Sequence, residues 1–241
     1  MKLRIRHTKL GKVRFTSHRD TARHWERAVR KAEVRLAYSA GFTPRPKLSF
    51  GLALPTGAES LAEYLDMELA PAEDPGDLAE FASRLGTALP VGYDVVRVAE
   101  RGAGTSLQDA VVACTWQITL AGVDHAAADA AVARFLAASE VLLERERKGQ
   151  RATDDVRPAV AALALLDAAH DPEGRPCLQA ELLTSGRSLR PVELVSALLP
   201  EVDALDCAAR VLRTHQWIDD DGARRELLPV DVVLHPGTGS A

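Results

Sequence analysis

An α+β chain that runs through the order β-α-β-β-α-β twice is what this sequence predicts, and three observations predict it. Its 241 residues exceed one small core and suit two domains of roughly 100–130 residues each. Residues 2–98 alternate between strand-like and helix-like periodicity in that order. The same order returns between 111 and 218, with no repeat of the sequence itself.

The first strand covers 2–8, where Leu3, Ile5 and His7 alternate with Lys2, Arg4 and Arg6, an inward row against a basic outer row. Gly11 marks a turn or bulge, after which Val13 and Phe15 resume the alternation with Lys12 and Arg14 outside. Ser17 then caps a helix over 19–33, with Asp20 placed to reach back as in a capping box. At ~100° per residue, Ala22, Trp25, Ala28, Val29 and Ala32 share one apolar sector, and Arg23, Arg27, Arg30 and Lys31 face away from it. A face that is merely solvated mixes charge signs for pairing one turn apart, whereas this one is nearly all cationic.

A turn-rich stretch, Gly41-Phe42-Thr43-Pro44-Arg45-Pro46-Lys47, leads to strands at 48–54 and 62–69. A helix near 75–88 and a strand at 91–98 close the first set. The second set comprises strand 111–120, helix 124–138, strands 141–147, 156–167 and 176–184, helix 191–199 and strand 209–218. The expected architecture is therefore two tandem ferredoxin-like (βαββαβ) domains, 1–103 and 110–234, joined by a glycine-bearing linker and followed by a disordered tail at 235–241.

Charge is distributed unevenly. Residues 1–50 hold fourteen Lys and Arg, nine of them Arg, against Asp20, Glu26 and Glu33, a net of +11; the other 191 residues carry −15. Such asymmetry points to a local site for a polyanion, with Arg suited to bidentate phosphate contacts. The plainer alternative is that the basic segment docks onto the acidic remainder within the fold. The densest constellation comprises Arg14, Ser17, Arg19, Arg27, Arg30, Tyr38, Ser39, Phe42, Arg45 and Lys47, which combines cations with aromatic rings able to stack on bases. His18, Asp20 and Arg23 form a candidate proton-transfer trio, His18 as acid or base, Asp20 orienting it and Arg23 meeting phosphate charge. For Asp20 the capping role competes with that one. Trp25 and His7 fall on inward phases and read as interior residues. A second basic cluster, Arg145, Arg147, Lys148 and Arg151, lies on an expected hairpin, where a solvated charged turn is the competing account.

Other chemistries lack their residues. No Cys-x-x-Cys pair, iron–sulfur run or histidine-rich cluster is present, so no metal or other cofactor is expected, and the phosphate loops of nucleotide-binding proteins are missing. Cys114, Cys177 and Cys207 are odd in number and far apart, which suits a reducing compartment. No run approaches the ~18–20 apolar residues of a membrane span, and Met1–Arg6 alternates instead of forming an export signal, so a cytoplasmic protein is expected.

The segments 11–20, 26–28, 37–51, 54–57 and 62–66, with Asp155-Val156-Arg157-Pro158 further on, resemble the uncharacterised radical SAM-associated family of bacterial proteins. The likeness is dense over 11–70 and sparse beyond. Members occur as separate chains or fused behind a radical SAM domain, so the resemblance implies a separately encoded radical SAM enzyme as partner and an RNA context. Residues 14–20 are also similar to CRISPR repeat-associated RNA-binding proteins built from tandem ferredoxin-like domains. The leading expectation is an RNA-binding accessory module. An RNA-acting enzyme using His18, Asp20 and Arg23, and a protein–protein adaptor that binds no nucleic acid, stay open beside it.

Overall fold

The computed structural model describes residues 1–102, 106–147, 150–186 and 188–228. It is an α+β structure with eleven strands and six helices among the described residues. Among the described residues the chain divides into two compact units, one formed by the part up to residue 111 with 218–228, the other by the part from 112 to 217. Residues 218–228, which the sequence pattern places in the second domain, fall in the first unit. The expected tail, 235–241, lies outside the described residues.

Unit 1 holds β1 (Lys2–Lys9), α1 (His18–Lys31), β2 (Leu48–Phe50), β3 (Glu59–Glu68), α2 (Leu78–Ala88), β4 (Val95–Glu100) and the short α3 (Leu107–Ala110). Its strands run in the order β4-β1-β3-β2, every neighbouring pair antiparallel, with Ile5 opposite both Leu65 and Val98. The inward phase of β1 behaves as its alternation requires. Leu3 and Ile5 join Leu65, Met67 and Val98 of the sheet beneath Trp25, Ala28 and Val29 of α1 and Phe81 and Leu85 of α2. Each large apolar side chain so buried contributes about 1.5–3 kcal/mol.

Two local expectations are corrected. Residues 11–15 form a 3₁₀ turn rather than a continued strand, and Phe15 is exposed. Gly11 takes a left-handed φ of 65° that turns the chain out of the sheet. Thr16 then locks the turn, its N–H and its hydroxyl both donating to the Val13 carbonyl at 2.9 and 2.7 Å. The basic row of β1 is an outer row only at Lys2, which is exposed. Arg4 makes a forked contact with Asp66 at 2.8 and 3.0 Å, and Arg6 is fully buried against Glu226. Alternation identifies the two faces of a strand and leaves open whether a distant segment covers the second one. Here β11 (Ala223–Glu226) and the residues after it return to unit 1, where Leu227 and Leu228 pack on Ala62, Tyr64 and Leu107.

Unit 2 holds β5 (Val111–Leu120), α4 (His125–Ala137), β6 (Leu142–Arg147), β7 (Gln150–Asp155), β8 (Val160–Leu165), β9 (Cys177–Leu183), α5 (Pro191–Leu198), α6 (Ala204–Cys207) and most of β10 (Ala208–Asp220). Its order is β10-β5-β9-β8. Ala113, Ile118, Leu178, Ala180 and Leu182 of the strands are buried, as are Ala128, Phe135, Leu194 and Leu198 of the helices. The hairpin β6–β7 stands apart as a two-stranded sheet. Its strand β7 has no counterpart in the sequence pattern, since Gln-Arg-Ala-Thr-Asp-Asp carries no apolar alternation.

Candidate nucleic-acid interface

The helix α1 starts where the capping residue predicts. Ser17 is extended, and its hydroxyl oxygen accepts the Asp20 N–H at 3.1 Å. The reciprocal half of a capping box is not made. Asp20 instead accepts the Ser17 hydroxyl at 2.8 Å and Arg23 Nη1 at 3.0 Å. The Ser17 hydroxyl first, and Arg23 second, hold the Asp20 carboxyl below the usual carboxylate range. His18 is exposed and sets its ring edge-on to Phe50, with centroids 5.6 Å apart. Of the candidate proton-transfer trio, Asp20 and Arg23 are thus bonded to one another, while His18 packs on an aromatic ring.

Behind this end of α1 the Tyr93 hydroxyl contacts Thr16 at 3.1 Å, Thr21 at 3.2 Å and His24 Nδ1 at 3.4 Å. Burial, followed by the positive charge of Arg27, pushes the His24 imidazole below its ordinary value. Trp25 is fully buried, as its sector predicts.

The outer face of the helix is a cationic row. Arg19, Arg23, Arg27, Arg30 and Lys31 are all exposed, and Arg23 alone of them is in an ion pair among the described residues. Arg19, Arg23, Arg27 and Arg30 follow one another at three- or four-residue steps, about 4.5–6 Å along the axis each. Docking of the basic segment onto the acidic remainder describes the other half of it. Lys2, Arg4, Arg6, Arg14, Arg35 and Lys47 all meet Asp or Glu partners within unit 1.

The Pro-rich loop is closed on itself. Tyr38 bridges Pro46, the Ser39 N–H donates to the Arg45 carbonyl at 2.9 Å, and the Ser39 hydroxyl accepts the Arg45 N–H at 3.0 Å. Ser39 therefore shapes the loop. Tyr38 at 58% and Phe42 at 110% relative exposure stand out into solvent, with Arg45 exposed beside them. Lys47 turns back instead, its ammonium 3.0 Å from Glu68. Lys47 first holds the Glu68 carboxyl low.

A third exposed ring belongs to the constellation 14–20, although the strand alternation places it inward. Phe15, 63% exposed, lies under the Arg14 guanidinium at 4.7 Å. The signal is present, an aromatic next to an Arg four residues past a glycine, but the residues also satisfy a strand alternation. Lys9 is hidden from sequence reasoning: it sits on the inward phase of β1 and is buried. In the second basic cluster, Arg151 pairs with Glu144 at 3.2 Å. Lys148 and the side chains of Arg145 and Arg147 lie outside the described residues.

Among the described residues no group of three or more His, Cys, Asp or Glu is placed to hold a metal ion. No helix among them is long and apolar enough to cross a membrane.

Residues 2–191 match the family described as "uncharacterized protein conserved in bacteria (DUF2344)". The chain belongs to this family. The matched span takes in all the residues of the cationic row and the aromatic loop, and ends at the start of α5. No curated protein matches the chain.

Proposed function

We propose that this protein is an RNA-binding accessory module, with single-stranded RNA held on the outer face of α1 and the aromatic loop of unit 1. The observation that carries the reading is the coexistence, within residues 15–45, of an exposed arginine row and three exposed rings. Arg19, Arg27 and Arg30 have no acidic partner among the described residues, and Phe15, Tyr38 and Phe42 present their rings to solvent. Guanidinium groups neutralise phosphates, and aromatic faces stack on unpaired bases whatever the sequence. Proton transfer by His18 lacks an orienting carboxylate in this geometry, since Asp20 bonds Ser17 and Arg23 while the His18 ring sets edge-on to Phe50.

The finer reading of the fold agrees with this function. The order β4-β1-β3-β2 in unit 1 and β10-β5-β9-β8 in unit 2 supports two ferredoxin-like domains, the second carrying β6–β7 as an insertion. The sequence resemblance to radical SAM-associated proteins supports a separately encoded radical SAM enzyme in the cytoplasm as the partner that acts on the bound RNA. The test is affinity for an unstructured RNA as a function of salt. Binding weakens as salt rises, and Arg27→Ala with Arg30→Ala lessens the slope by about 0.7 for each phosphate no longer neutralised. Absence of binding at ~50 mM salt overturns the reading.

A further inference from the structure

The helix α4 has the sequence of an interior helix. Only His125, Asp129 and Arg134 among its residues are polar, yet Ala126, Ala130, Ala133, Leu136 and Ala137 are exposed. A helix that is apolar nearly all round belongs to a core, whereas a surface helix keeps a polar outer side. Beside α4 in unit 2 runs a groove with a volume of about 200 Å³. Its lining comes from Ala131, Arg134 and Phe135 of α4, Ala197 of α5, and Glu140 and Val141, which lead into β6. Positions 131, 134 and 135 share one side of the helix because they are three and four residues apart. Alanine at 131 and 197 leaves open a space that a larger side chain would fill. A cavity of ~150 Å³ holds a benzene molecule, so this groove has room for one large apolar side chain.

Such a side chain stands next to the groove. Leu142 follows Val141, and the pleat of the chain sends it to the other side, where it is 61% exposed. The rim carries one charge of each sign. Arg134 and Glu140 are both exposed, and neither is in an ion pair among the described residues. Arg134 donates only to the Leu198 carbonyl, at 2.7 Å, at the end of α5.

We propose that this groove is the interface of a two-fold homodimer, in which Leu142 of each copy enters the groove of the other. The charges favour a second copy over an unlike partner. A surface of one sign can answer Arg134 or Glu140, but not both. A copy rotated by half a turn brings its Glu140 to Arg134 and its Arg134 to Glu140, so one pairing is made twice. Hollow and projecting leucine lie on the same patch, so the two-fold contact satisfies both at once and closes at two copies rather than growing into a filament. The result has the anatomy of a homodimer contact, an apolar centre within a charged rim. This inference is independent of the RNA reading.

The experiment measures the mass of the full chain in solution, without RNA, by sedimentation equilibrium over a series of concentrations. The unsubstituted protein rises to twice the mass of one chain. Arg134→Glu alone and Glu140→Arg alone each set like charges against one another at both contacts, and each weakens the dimer about a hundredfold. Mixed in equal amounts, these two variants associate with one another, because every contact again joins opposite charges. That recovery also shows that both variants are folded. Leu142→Ser weakens the dimer as well, and with Glu140→Arg it carries the test should Arg134→Glu fail to fold. A chain that stays single at every concentration overturns the proposal and leaves the groove to a different partner. A dimer that survives the charge reversals, or folded variants that do not associate on mixing, overturns it too.

Discussion

Arg6 and Gly92 are the two residues at which a single substitution is expected to be most costly. The Arg6 guanidinium has no exposure, and it is met by Glu226, the Leu228 carbonyl at 3.1 Å and the Leu61 carbonyl at 3.3 Å. Removing the carboxylate leaves a buried cation without its counter-charge, so Glu226→Ala lowers stability by about 3–5 kcal/mol. Urea denaturation reads this directly, and an unchanged midpoint contradicts the account. Gly92 adopts a φ of 102°, and a Cβ there would stand 2.5 Å from the Leu10 carbonyl oxygen and 2.7 Å from Val13. Gly92→Ala is therefore strained by its backbone and by its neighbours, with an expected cost above about 2 kcal/mol and a lower thermal midpoint. Neither effect is readable from sequence. Arg6 looks like any solvated strand cation until the covering segment is known, and Gly92 looks like an ordinary turn glycine.

At the scale of elements, α1 is the most legible part of the chain. A serine cap, a 100° apolar sector and a run of cations mark its start, its buried side and its exposed side, and Thr21, Trp25, Ala28 and Val29 are indeed buried. Ser17→Ala removes the cap and costs about 1 kcal/mol. It also removes the main group that holds Asp20 low, so the Asp20 carboxyl titrates at higher pH in the variant, a shift that NMR detects. The same helix gives a pH dependence through His24. Its imidazole is lowered from 6.5 in the folded chain, so the unfolded chain binds the proton more readily. As pH falls through that window stability is lost, and His24→Asn flattens this part of the stability profile. A profile unchanged by the substitution contradicts the assignment. Strands with clear alternation, such as β1 and β3, are legible for the same reason as α1. The 3₁₀ turn at 11–15 and the polar strand β7 are not: in one a chance alternation imitates a strand, and in the other two polar sides leave no pattern to read.

For the whole molecule, the site is half legible. Arg19, Arg27, Arg30, Tyr38, Phe42 and Arg45 are presented to solvent as their positions suggest, because short-range periodicity and turn chemistry decide them. Arg14, Ser39 and Lys47 are engaged by Glu59, Arg45 and Glu68, and those partners are set by register between strands and by loop closure. Under the proposed function, recognition at this surface is salt-dependent and tolerant of base sequence, since phosphates and ring faces are what it would meet. Homopolymers of the four bases should bind within roughly tenfold of one another, and a preference of several hundredfold for one base would point to edge-specific hydrogen bonds instead.

The return of residues 218–228 to unit 1 bears on synthesis. The carboxylate that neutralises Arg6 is synthesised 220 residues after it. Translation at ~5–20 residues per second leaves the first unit unfinished for roughly ten seconds or more, its arginine and the patch around Tyr64 uncovered. A nascent chain paused at residue 217 should then be cut by protease within unit 1 where the released protein resists. Unit 1, begun before unit 2, is in this sense completed only after it.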